Sequence, residues 1–151
     1  MDALRARALA FLEAHHVLTL ATAGDDGPWA AAVFYASRGF DLWFLSSPRS
    51  RHAQHLAVRP RAAGAVQDDT GDWRAVRGIQ LEGPVKLLRG AEEAEARALY
   101  GARFPVAAPG GAPPEIAAAL ERVAWYRLAP ERLYLVDNAA GFGKREEIPL
   151  R

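Results

Sequence analysis

The chain contains no cysteine. Disulfides, thiolate zinc sites, iron–sulfur clusters and a cysteine nucleophile are all excluded, so any redox chemistry requires a bound cofactor. A strong field of one sign is missing too: 19 basic residues stand against 18 acidic ones, a formal net charge of +1. That balance would hold neither a nucleic-acid backbone nor an anionic membrane, and neither is an expected partner. No apolar run approaches the length of a membrane span, and Met1 to His16 is charged and amphipathic rather than a basic segment leading into an apolar one. A cytoplasmic location is the expectation.

What is present suits one domain over residues 1–151, since half of the 151 residues are apolar, enough for a single core. Leu4, Ala8, Phe11 and Leu12 recur at helical spacing, which predicts an amphipathic helix from Asp2, its cap, to about Ala14. From Val17 the pattern changes to short β-branched and aromatic runs separated by turn residues. Val17–Ala23 and Trp29–Ala36 flank Gly24-Asp25-Asp26-Gly27-Pro28, and Phe40–Leu45 follows Ser37-Arg38-Gly39. Arg51–Val58 reads as a short helix stopped before Pro60, and Ala62–Gln67 as a strand. Trp73–Leu81 and Val85–Leu88 read as strands around Glu82-Gly83-Pro84, a bend of the kind by which barrels turn corners. A helix over Ala91–Phe104, an irregular Pro/Gly/Ala loop to Pro114, a helix over Glu115–Ala124, strands at Trp125–Leu128 and Leu133–Val136, and a polar tail complete the chain. The expectation is a mainly β, α+β fold: a six-stranded antiparallel split β-barrel in Greek-key order with peripheral helices.

The strongest local signal for chemistry is Ser46-Ser47-Pro48-Arg49-Ser50-Arg51-His52, which joins a strand to a helix start. The first N–H groups of a helix are unpaired and its dipole is positive there, so hydroxyls and arginines at that point make an anion cradle. The alternative is a solvated capping loop. Other groupings are weaker. His52 and His55 are three apart without a matching carboxylate pattern, which reads as surface rather than a metal site. Asp25-Asp26 reads as turn residues, Gly141-Phe142-Gly143 lacks a dinucleotide fingerprint, and the four tryptophans read as core or interface anchors.

Trp29 to Leu56, with Arg77 to Leu88, resembles the core of the pyridoxamine 5'-phosphate oxidase-like, FMN-binding split-barrel family. Ser50-Arg51-His52 stands where that family has a Ser-Arg-Lys triplet, and Leu56 with Arg59-Pro60-Arg61 is similar to its leucine and Asn-Pro-Arg run. Histidine replaces lysine, so full charge would be present only below its pKa. The resemblance implies FMN as cofactor, with the phosphate held by Ser46, Ser50, Arg51 and His52 and with Ser47 among the cofactor-binding residues. It implies a ring lined by the strand around Ala31, Ala32, Val33, Phe34 and Tyr35, with Leu45 at the next contact. Arg77, Gly78 and Gln80 match the family strand that reaches the cofactor from the neighbouring region of a homodimer. Gly78 replaces a glutamine common in the oxidase itself, and Asp137 to Arg145 resembles the tail of a different branch, which argues against that oxidase's own activity. A homodimer is expected for a second reason: Trp29–Ala36 is apolar at nearly every position, as a strand buried on both faces would be.

The function expected from these implications is an FMN-dependent oxidoreductase or flavin reductase, with NAD(P)H or a small molecule as its partner and no catalytic side chain required. The alternatives are a deazaflavin-dependent reductase, a flavin or haem carrier without turnover, and an oligonucleotide-binding barrel. The near-neutral charge argues against the last.

Overall fold

The computed structural model describes residues 2–151. Asp2 caps the first helix, α1 (Ala3–Ala14), by accepting a hydrogen bond from the Leu4 N–H, and Ala8, Phe11 and Leu12 form its buried face. Strand β1 (Val17–Gly24) then pairs with β2 (Gly27–Phe34) across a tight turn, with Gly24 opposite Gly27. Gly27 has φ +103°, a conformation in which a side chain would be strained.

Tyr35 ends β2 and turns the chain into β3 (Ala36–Arg38), which pairs with β4 (Asp41–Ser46). Its ring is fully buried, its N–H donates to the His16 carbonyl and its hydroxyl donates to the Leu12 carbonyl at 2.7 Å. That burial pushes the phenol up to about 12. The run expected to be one strand to Ala36 is therefore broken at the residue that fastens it to α1.

Helix α2 (Arg51–Val58) follows, then β5 (Arg61–Gln67), β6 (Arg77–Leu87), α3 (Gly90–Arg103), α4 (Pro114–Leu120), β7 (Ala124–Leu128), β8 (Arg132–Asp137) and β9 (Arg145–Glu147). The antiparallel sheet runs β2-β1-β5-β6-β7-β4-β3, with β8 on β6 and β9 on β8. Its two ends, β2 and β3, are joined through Tyr35 alone, so the sheet curls back on itself. The fold is mainly β with helices, as expected, but the described residues form nine strands rather than six.

The differences from the expected strands have local reasons. Arg145–Glu147 carries no apolar alternation, and is held on β8 by the buried Ile148, whose N–H donates to the Leu133 carbonyl. Residues 73–75 form a 3₁₀ turn instead of opening a strand, because the Asp72 side chain caps the Arg74 N–H. The two strands expected around Gly83-Pro84 are a single one. β6 pairs with β5 and β8 as far as Arg61↔Pro84 and Glu82↔Arg132, then passes to β7 from Val85↔Leu128. The expected corner is thus a change of partner rather than a gap.

Leu18, Leu20, Leu42, Phe44, Val66, Ile79, Leu81, Leu128 and Leu133 fill the space inside the sheet, and Leu12 of α1 packs against them. A second cluster, Trp43, Leu88, Ala96, Tyr100 and Trp125, lies under α3. Trp43 and Trp125 are thus core, whereas Trp29 and Trp73 are exposed. β2 has no two-sided cover within one chain, the cover for which a second copy is expected. Pro28, Trp29, Ala30, Ala32 and Phe34 are exposed in the single chain, so this apolar strand lacks cover. No helix among the described residues is long and apolar enough to cross a membrane.

A Cβ added at Gly83 would sit 2.3 Å from the Ala129 carbonyl oxygen and 2.9 Å from Pro130 Cα, both backbone atoms that cannot give way cheaply. Gly83→Ala is expected to lower unfolding stability by about 1–3 kcal/mol. Urea denaturation checks this, and a loss below about 0.5 kcal/mol would contradict it.

Candidate functional site

The buried strand β4 delivers Ser46 to the mouth of the loop, opposite Ala124 of β7. Ser47, Pro48 and Arg49 then turn through solvent, with the Ser50 N–H and hydroxyl both donating to the Ser47 carbonyl. Ser50 is the N-cap of α2, its Oγ accepting from the Ala53 N–H at 3.2 Å. The Arg51 and His52 N–H groups in the first helical turn have no carbonyl within the helix to bond, and that turn carries no acidic side chain. Two free donors, a positive dipole end and two arginines within three residues suit an anion.

The two side chains of the Arg51-His52 pair go opposite ways. Arg51 reaches the β1–β2 turn: Nη2 donates to the Asp26 carbonyl at 2.9 Å, Nε lies 3.1 Å from Asp26 Oδ2, and the guanidinium stands 4.4 Å over the Trp29 ring. His52 turns inward. Its Nε2 is 2.6 Å from Ser46 Oγ and 3.3 Å from Ser50 Oγ, and burial, aided by nearby His55, holds its pKa below the ordinary histidine value. The neutral ring braces the loop from beneath. His55, read from sequence as surface, is buried instead: its Nδ1 faces Thr22 Oγ1 at 2.9 Å and its Nε2 faces Asp26 Oδ1 at 2.6 Å. That hydrogen bond from His55, and then the charge of Arg51, keeps the Asp26 carboxyl below the ordinary carboxylate range.

Ala31 and Val33 of β2 are half-buried toward the core side, whereas Ala32 and Phe34 face outward. Tyr35 offers the outside only its main chain, its ring lying in the core. Leu45, opposite Trp125, packs against the cluster under α3. Along the outer face a single row runs Ala32, Thr19, Ala65, Gln80 across four strands, so Gln80 lies three strand spacings, roughly 14 Å, from Ala32. Gly78 lies further along the same face of β6, opposite Gln67 and Val136. Arg77 is turned to the inner side under α1, where it grips Asp68 through Nε and Nη2 and stands over Phe11. It lines a cavity of about 320 Å³ with Arg7, Phe11, His15 and Leu135.

The structure therefore brings together Ser46, Ser47, Ser50, Arg51 and His52, with β2 beside them. It does not bring Arg77, Gly78 and Gln80 to them. Asp26, which anchors Arg51, lies two residues past the end of β1, while Gly78 lies beyond the Thr19↔Ala65 pair at the strand's other end, roughly 20 Å away. Thr22, Asp26, Trp29 and His55 are the neighbours that sequence reasoning missed. Asp26 and His55 meet across 29 positions and Thr22 and His55 across 33, and no local spacing signals this.

A model of the pyridoxamine 5'-phosphate oxidase family matches residues 4–137. The chain belongs to that family. Within it, the chain falls in the UPF0306 group: it is 33% identical over 137 residues to a UPF0306 protein of Photorhabdus laumondii, covering 89% of this chain and 88% of the relative. Solved structures share the fold of this family member. A haem-binding protein from Mycobacterium smegmatis superposes with a TM-score of 0.79 at 24% identity over 99% of this chain, which spans 59% of that longer chain. HutZ, the haem storage protein from Vibrio cholerae, gives 0.71 at 20% identity over 89% of this chain and 95% of its own.

Because the folded state disfavours the charged form of His52, the unfolded chain binds its proton more readily. Stability from this residue is complete above the ordinary histidine pKa and is lost as pH falls from there through the depressed value. Melting temperatures between about pH 8 and about pH 5 are expected to fall less for His52→Gln than for wild type, and equal slopes would contradict this.

Proposed function

We propose that this protein binds FMN by its phosphate at the loop 46–52 and acts as an FMN-dependent oxidoreductase or flavin reductase on a small molecule. The observation that carries this reading is the donor set at the start of α2. It combines the Arg51 and His52 N–H groups, the Ser47 hydroxyl and an Arg51 side chain already fixed in place, with no acidic residue in the helix's first turn. Such a set fits a dianionic phosphate. Beside it, the uncovered face of Ala30, Ala32, Ala21 and Ala63 is flat enough for a planar ring. Bound there, the flavin would supply hydride acceptance and donation at its N5. The chain's own part is to hold and orient: Arg51 and the helix N–H groups on the phosphate, the β2 main chain from Ala31 to Tyr35 and the Leu45-Ser46 turn along the ring.

A second copy of the chain completes the site. Gly78, Gln80 and Arg77 lie too far from the loop to serve the same ring within one chain, so they reach it only across a homodimer. Pairing copies over the exposed apolar β2 would also supply the cover that strand lacks.

Haem carriage without turnover is the second reading, favoured by what the two structural neighbours bind or store. In this chain His15, His52 and His55 each have a ring nitrogen engaged by protein, and only His16 has none so engaged among the described residues. A haem would have to displace one of these bonds, use the Nδ1 of buried His52, unengaged among the described residues, or use His16.

The test is a visible spectrum of the purified protein with added FMN, a deazaflavin or haemin, followed by NADH and NADPH. Saturable flavin binding that weakens by about 2 kcal/mol in Arg51→Ala is the expected result. No flavin binding, with a haem band that His16→Ala removes, would overturn the proposal in favour of haem carriage.

A further inference from the structure

The β1–β2 turn and α2 meet through one carboxylate. Asp26 Oδ1 is 2.6 Å from His55 Nε2, Oδ2 is 3.1 Å from Arg51 Nε, and the Asp26 main-chain carbonyl accepts from Arg51 Nη2 at 2.9 Å. A carboxylate only accepts, so His55 Nε2 bears the proton, and in the neutral ring Nδ1 accepts from the Thr22 hydroxyl 2.9 Å away. Hydroxyl, imidazole and carboxylate thus stand in the order that activates a nucleophile elsewhere. Here Thr22 is 4% exposed, so no substrate reaches its oxygen. The outward end of the chain is Arg51.

Arg51 is consequently held from three directions. The carboxylate faces Nε, the carbonyl takes one Nη2 proton and the Trp29 ring covers one face. The Nε–H is in ion-pair contact with Asp26 without forming a hydrogen bond, and the donors on the outer edge of the guanidinium, the two Nη1 protons and the second Nη2 proton, are left over. A fork presented by that edge matches two oxygens of a phosphate.

We propose that Asp26, braced by His55 and Thr22, is a positioning residue that presents Arg51 to the phosphate. This rests on the FMN reading above. An arginine free in solvent loses rotamer entropy when it closes on an anion, whereas one already fixed does not, so the carboxylate raises affinity without touching the ligand. Its own repulsion of the phosphate is weak, because Asp26 is 59% exposed and its charge is screened and offset by Arg51.

The test is a double-mutant cycle of wild type, Asp26→Asn, Arg51→Ala and the double variant, titrated with FMN and with riboflavin by flavin fluorescence. Asp26→Asn keeps the shape of the turn and its main-chain carbonyl while removing the charge. It is expected to weaken FMN about tenfold, to leave riboflavin unchanged, and to add nothing in the Arg51→Ala background. A loss that adds to that of Arg51→Ala, or that is equal for the two flavins, would show a merely structural role and overturn the proposal. Unchanged or tighter FMN binding by Asp26→Asn would overturn it as well. Wild-type protein that binds no FMN overturns the FMN reading itself, and this inference with it.

Discussion

Strand β6 passes from β5 and β8 to β7 at Gly83-Pro84, and the rest of the sheet hangs on that exchange. It is possible only because the strand carries no side chain where the Ala129–Pro130 backbone crosses it. Proline at the next position has no N–H to give, and its carbonyl accepts from the Ala129 N–H. With β7 fixed in this way, β4 has a partner along its whole length, and the end of β4 is where Ser46 opens the loop. A change of neighbour in one strand therefore decides where the loop from Ser46 to His52 stands.

Around that loop the chain separates charge from support. His52 and His55 lie buried under α2 with ring nitrogens hydrogen-bonded to Ser46, Thr22 and Asp26, and they hold the helix start in place. Arg49 and Arg51, with the helix dipole, supply the positive field at the surface. A permanently charged guanidinium keeps that field at any pH at which the protein is folded, whereas a histidine in its place would lose it near neutrality. The uncovered apolar strand beside it provides contact area but no polarity, which suits a ligand with a flat ring and an anionic tail.

How much of this was legible depended on whether the determining contact was local. The bounds of α1 and α2 followed from Asp2, Ser50 and Pro60, because caps and proline act within a few residues. The Ser46–His52 loop was legible for the same reason. The unity of β6 was not, since Gly-Pro signals an interruption and only the partners on each side show that pairing continues. Nor was β9, whose Arg-Glu-Glu sequence owes its strand form to β8. His52 and His55 gave no sign of burial, because their partners Thr22 and Asp26 come from a hairpin far upstream and Ser46 from a strand end. The apolar run of β2 was legible as a strand that one chain does not cover, and within the chain it is exposed.

The central claim is that the start of α2 and the open face of β2 form one site for a phosphate-bearing flavin, completed by a second copy of the chain. The most direct measurement is a crystal structure of the protein grown with FMN. The account predicts the phosphate within hydrogen-bond reach of Arg51 and the first N–H groups of α2, and the ring between β2 of one copy and Gly78–Gln80 of the other. A flavin bound elsewhere, or a loop 46–52 facing solvent with the ring lying against a single chain, would contradict it.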